Sequence, residues 1–176
     1  MPAIQDKTTL YNIDGLTILP IPPSISEKLP SRGIVMVAGQ INGVPFADVL
    51  EPDGSRGHFL EVDDSQQKKI GARAGDTIEI SVEPTEEWVE PEVPEDVKKA
   101  LAKAPVAHAL WTKITPAARW DWVRWIRATK QAETRARRID VAISKLTAGT
   151  RRPCCFNRAQ CTLPSVSNNG VLLKKT

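Results

Sequence analysis

No stretch of the 176 residues approaches the run of about 20 apolar residues needed to cross a bilayer as a helix. Met1 to Leu10 lacks a charged-then-apolar pattern and carries Asp6 early, so it does not read as a secretory signal. Three cysteines, two of them adjacent, are too few for a disulfide framework, and reduced thiols in a cytoplasmic protein are the simpler expectation. There is no G-x-S-x-G, no P-loop and no G-x-G-x-x-G. The two histidines, His58 and His108, fall in different predicted domains, and neither neighbours a Ser or Cys in a nucleophile-elbow pattern. Asp63 and Asp64 are adjacent carboxylates at a strand end, where neighbouring side chains point apart, and helix capping accounts for one of them. These absences leave no catalytic constellation and imply no cofactor. What is present is a 41% hydrophobic content, enough for a core, alongside 26% charged residues.

The net charge of +3 hides a segregation. Ala47 to Lys99 holds fifteen acids and six bases, while Lys113 to Arg158 holds twelve bases and three acids. Such asymmetry fits a basic surface for an anion or nucleic acid, or an acidic surface for a cationic ligand. It fits equally well two halves that neutralise each other.

The pattern predicts an α+β chain. Residues 1–83 read as a small β-barrel, 84–93 as a Pro/Glu-rich linker, 94–150 as a domain of three to four helices, and 151–176 as an irregular Cys-containing tail. In the first part, strands are expected at Gly15–Pro20, Gly33–Gly39, Phe46–Leu50, His58–Val62 and Thr77–Val82, with Asn42-Gly43 as a type I′ turn and a short helix over Asp64–Ile70. Short strands between Gly and Asp turns suit a closed barrel, which removes exposed edges. Trp88 and Val89 are expected to pin the linker onto one domain. In the helical part, Pro94 is placed at the first helical position and Val97, Ala100, Leu101 and Ala104 on the buried face. A helix from Pro105 is expected to bury Val106, Ala109 and Leu110. Thr115-Pro116 opens a helix to about Lys130, with the stripe Ala118, Trp122, Trp125, Ile126 and Thr129. A last helix over about Glu133–Ala148 buries Ala136, Ile139, Ile143 and Leu146 and stops at Gly149.

The most distinctive segment is Arg119-Trp-Asp-Trp-Val-Arg-Trp-Ile-Arg127. Trp120 lies one turn from Arg124, a spacing that suits either an internal cation–π pair or the capture of a base or aromatic ring. Arg135 and Arg138 share a face that Arg127 can join, and arginine forks suit carboxylates and phosphates; pairing with Glu133, Asp140 or the acidic linker is the intramolecular alternative. Cys154, Cys155 and Cys161 lack zinc-site spacing, so no metal is expected and they read first as structural or incidental thiols; redox sensing, which nearby Arg151, Arg152 and Arg158 would favour by stabilising thiolates, is the alternative.

Val93-Pro-Glu-Asp96 with Ala100-Leu101, Trp125-Ile126 with Lys130, Glu133-Thr-Arg-Ala-Arg-Arg-Ile139, Leu146 and Gly149 resemble the YdeI/OmpD-associated, or bacteriocin-protection, family. Asn42-Gly-Val-Pro-Phe46, the Gly57–Val62 strand and Gly75-Asp-Thr-Ile-Glu-Ile80 resemble an uncharacterised β-domain that often precedes it, similar to double-split β-barrels of the AbrB-like type. The two resemblances span about four fifths of the chain, and the tail from Arg151 looks like an extension of some members. They imply protection against bacteriocins or other antimicrobial peptides, with no agreed catalytic residues to carry over.

The leading expectation is therefore a non-enzymatic binding protein that sequesters an antimicrobial peptide or related antibiotic in a cleft where barrel and helices meet. Phe46, Trp88, Trp111 and Trp120 would supply aromatic walls, with Arg124 stacked beside Trp120. Arg135 and Arg138 would hold an acidic group, and Glu86, Glu87 and Glu90 would attract a cationic peptide. The alternative is nucleic-acid binding through the Trp/Arg helices, which counterion release would make steeply salt-dependent. An enzyme or redox sensor built on the cysteines ranks last. No membrane insertion is expected.

Overall fold

The computed structural model describes residues 3–154 and 156–174. The chain divides into two compact units. One comprises Met1–Val89, Arg158–Cys161 and Ser165–Thr176; the other comprises Glu90–Asn157 and Thr162–Pro164.

The first unit is a nearly closed antiparallel barrel of seven strands: β1 (Ile4–Thr9), β2 (Tyr11–Ile13), β3 (Leu16–Pro20), β4 (Val35–Ile41), β5 (Val44–Pro52), β6 (His58–Glu61) and β7 (Thr77–Pro84), in the order β1-β7-β4-β5-β6-β3-β2. Its closure has a simple origin. β1 and β2 stand at the two ends of that order yet are separated in the chain by Leu10 alone. One continuous segment thus pairs with β7 through its first half (Ile4 opposite Val82) and with β3 through its second (Tyr11 opposite Ile18). Leu10 is fully buried at the crossover, where its N–H donates to Asp76 O (2.9 Å) and its carbonyl accepts from the Gly75 N–H (2.8 Å). Neither β1 nor β2 was expected from the sequence. Ile-Gln-Asp-Lys-Thr-Thr carries almost no apolar alternation, and its pairing is set by β7.

The strands that were expected form for the expected reasons. β7 alternates, burying Ile78, Ile80 and Val82 while Thr77, Glu79 and Glu83 face solvent. Asn42 and Gly43 take φ of 49° and 78°, the mirror-image turn that matches strand twist, and Ile41 pairs with Val44 across it. Gly39 permits the close approach of β4 to β7, since a Cβ there would stand 1.8 Å from Ser81 O. A four-residue helix, α1 (Pro23–Ser26), and α2 (Asp64–Ile70) complete the unit. Asp63 and Gln66 form a full capping box on α2, and Gly71 closes it at φ 67°.

The second unit contains α3 (Glu95–Ala102), α4 (Pro105–Lys113), α5 (Pro116–Arg127) and α6 (Ala132–Thr147). Thr115 caps α5, its hydroxyl accepting from the Ala118 N–H at 3.1 Å. Gly149, at φ 94°, ends α6 with a Schellman pair: Gly149 N–H to Leu146 O and Thr150 N–H to Lys145 O. Several details differ from expectation. Pro94 is the N-cap of α3 rather than its first helical residue, and α5 ends at Arg127, short of Lys130. α4 buries Ala107 and Trp111, whereas Val106 is 61% exposed. The large indole takes the core position and turns the helix so that its i, i+4 row faces in. In α6 Ala136 is exposed and Ala142 is buried.

The tail is more regular than expected. A 3-10 turn (Pro164–Val166) leads into a ribbon of β8 (Ser167–Asn168) and β9 (Val171–Leu172). The Leu172 N–H donates to Asp53 O (2.8 Å) and the Tyr11 hydroxyl to Leu173 O (3.1 Å), which ties this ribbon to the barrel unit. Among the described residues no helix is long and apolar enough to cross a membrane.

Candidate functional site

Two of the expected aromatic residues lie in the barrel unit, and they line separate hollows. Trp88 follows β7. The Thr85 N–H continues the β4–β7 ladder onto Met36 O (3.0 Å), the Thr85 hydroxyl accepts from the Glu87 N–H (3.2 Å), and the Trp88 N–H donates to Glu86 O (3.0 Å). This turn sets the half-buried indole against a groove of about 450 Å³, walled by Pro30, Ile34, Met36 and Pro84. Glu86 stands in its lining, with no basic residue there among those described. Glu83 and Glu87 are exposed on either side of Glu86 in the chain. Phe46, half-buried on β5, lines a smaller hollow of about 210 Å³ with Ile41, Val44, Leu60, Val62 and Ile70. Asp48, two residues along the same face of β5, has its carboxyl pushed up by burial, with Glu51 and Asp63 adding repulsion.

The remaining expected residues lie in the helical unit. Trp111 belongs to its core, and Trp120 is half-buried. Arg124 is fully buried (0% exposed), 5.4 Å over the Phe156 ring and 3.9 Å from Asp121, itself 1% exposed. Arg135 makes a two-pronged bond to Asp96 (2.7 and 3.0 Å), which holds that carboxyl below its usual range. Arg138 lies over the Trp125 ring at 5.5 Å and donates to Trp125 O. Arg119 grips Glu90 (2.6 Å) and Arg152 grips Asp121 (2.6 Å). Much of the basic character of these helices is thus met by carboxylates within the unit.

One pairing escaped the sequence. Ser26 and His58, 32 residues apart, meet with Ser26 Oγ 2.6 Å from His58 Nδ1, while His58 Nε2 lies 2.9 Å from Gly33 O. A carbonyl accepts only, so Nε2 carries the hydrogen and the Ser26 hydroxyl donates to Nδ1. The geometry is that of an activated serine, but Ser26 is 3% and His58 1% exposed, so the pair works here as a clamp between α1 and β6. Burial lowers the His58 pKa from its ordinary 6.5. The unfolded chain therefore takes up this proton first, and stability falls as pH drops below about 6.5. Urea midpoints measured from about pH 8 to pH 5 should show that fall, and His58→Gln should flatten it.

Cys154 is exposed and Cys161 buried, both as free thiols; Cys155 lies outside the described residues. Among the described residues no three His, Cys, Asp or Glu side chains gather as a metal site.

The class defined by this architecture is a nearly closed antiparallel barrel followed by a helical unit. Residues 90–149 match the family model described as Bacteriocin-protection, YdeI or OmpD-Associated. Residues 6–82 match that of a Domain of unknown function (DUF1905), so the chain carries the two regions in the order that its motifs imply. Among curated proteins nothing matches the chain.

Proposed function

We propose that this protein protects by binding: it holds a cationic, amphipathic antimicrobial peptide without transforming it. The observation that carries this reading is the Trp88 groove. Its volume of about 450 Å³ falls within the roughly 300–1,000 Å³ of small-ligand sites. Pro30, Ile34, Val35, Met36 and Pro84 give it an apolar side, Ser31 and Thr85 a polar one, and Glu86 lines it with Glu83 and Glu87 close by in the chain. An apolar side chain next to a lysine or arginine meets both features at once. The family description of residues 90–149 supports the protective role.

Calorimetric titration with a synthetic Lys/Leu amphipathic peptide, and with its Glu/Leu counterpart, tests this. The cationic peptide should bind and the anionic one should not. Trp88→Ala should weaken binding about thirtyfold, the loss expected for a central aromatic anchor worth about 2 kcal/mol. Absence of heat from the cationic peptide, or indifference to Trp88→Ala, overturns the reading. Nucleic-acid binding is less well supported, because Arg119, Arg135 and Arg152 are already paired with carboxylates.

A further inference from the structure

Residues 1–89 carry fourteen acids and only seven bases. Two of those bases, Arg32 and Arg56, nevertheless line one hollow of about 510 Å³ together with Lys174 from the tail. Arg32 is held rigidly, with Nη2 donating to the carbonyls of Ser26 (2.6 Å) and Leu29 (3.1 Å) and Nη1 to that of Arg56 (2.6 Å). These acceptors are neutral; they fix the guanidinium and leave its charge uncancelled. Arg56 sits in the left-handed region (φ 72°) on the Asp53–Gly57 turn. That turn is built by Asp53 Oδ1 accepting the Ser55 and Gly57 N–H groups at 2.7 and 2.9 Å, so this carboxylate already serves its own backbone. Among the described residues, no carboxylate pairs with Arg32, Arg56 or Lys174. Glu27 also lines the hollow, and the cations outnumber the acids there three to two.

We propose that this hollow binds a small anion bearing a phosphate or clustered carboxylates. Arg32 supplies a fixed positive charge, both of its Nη2 hydrogens being held by carbonyls, and Arg56 and Lys174 supply the donors from the exposed side. The site is separate from the Trp88 groove and does not depend on the peptide-binding reading.

The test is calorimetric titration of the full chain with inorganic pyrophosphate and, separately, with citrate. Binding of at least one at millimolar concentration is expected, weakening as salt is added. Arg56→Gln combined with Lys174→Gln should reduce the affinity at least tenfold while leaving the urea midpoint unchanged, because neither side chain has a carboxylate partner to lose. Lys98→Gln, on α3, should change nothing. Preference for pyrophosphate assigns the phosphate class, and preference for citrate the carboxylate class. No heat from either anion, or equal binding by the double variant, overturns the site.

Discussion

Replacing Asp121 with alanine is expected to destabilise the helical unit by about 3–5 kcal/mol, the range for stripping one partner from a buried ion pair. Asp121 is 1% exposed, with Arg124 and Arg152 among its partners. Arg124 Nη1 lies 3.9 Å from one of its oxygens, and Arg152 Nη1 donates to the other at 2.6 Å. Arg152 is partly exposed and can turn to water, but Arg124 has 0% exposure. Without the carboxylate, the guanidinium stays in a low-dielectric interior, 5.4 Å over the Phe156 ring, and loses this buried counter-charge. Asp121→Asn keeps an acceptor for Arg152 but removes the charge, so it should fall between the wild type and alanine. Arg152→Ala should cost less than Asp121→Ala, because it removes the solvated member. Urea unfolding followed by far-UV circular dichroism measures all three. A cost below about 1 kcal/mol for Asp121→Ala would show that the buried charge is compensated some other way.

Local chemistry made much of this architecture legible. The Asn42-Gly43 turn, the cap at Asp63-Asp64 (which Asp63 supplies), the Thr115-Pro116 start and the Gly149 stop each depend on residues within one turn of chain, and each forms. Features set by distant partners were not legible. β1 is a polar strand fixed by the Ile4–Val82 to Thr9–Thr77 register rather than by its own pattern. In α4, two rows satisfy helical spacing, Val106 with Ala109 and Leu110 or Ala107 with Trp111, and only packing against α6 and its neighbours selects the second. The contact of Arg124 with the Phe156 ring, 32 residues further on, has no local signature. The Ser26–His58 clamp has no local signature either. The site residues follow the same rule. Phe46 and Trp88 reach hollows of the barrel unit because neighbouring strands leave space beside them, whereas Arg135 is engaged by Asp96, which lies 39 positions away.

Trp122→Ala should be comparably severe, at about 3–5 kcal/mol, for a different reason. The indole is 1% exposed in the core of the helical unit, edge-on to Trp125 with ring centroids 6.0 Å apart and an interplanar angle of 78°. Alanine removes that apolar surface from the core and leaves a void between α5 and its neighbours that close-packed helices collapse into only partly. It also removes the Nε1–H donor to Arg151 O (2.9 Å), the bond that fastens the start of the tail. Trp122→Phe separates the two contributions. It retains most of the ring but not the donor, and should cost about 1–2 kcal/mol, close to one buried hydrogen bond plus a small packing defect. Trp125→Ala should cost less than Trp122→Ala, since Trp125 is only half-buried, but it should also loosen Arg138 from its stacked position. If Trp122→Phe proves as damaging as alanine, the bond to Arg151 dominates the loss.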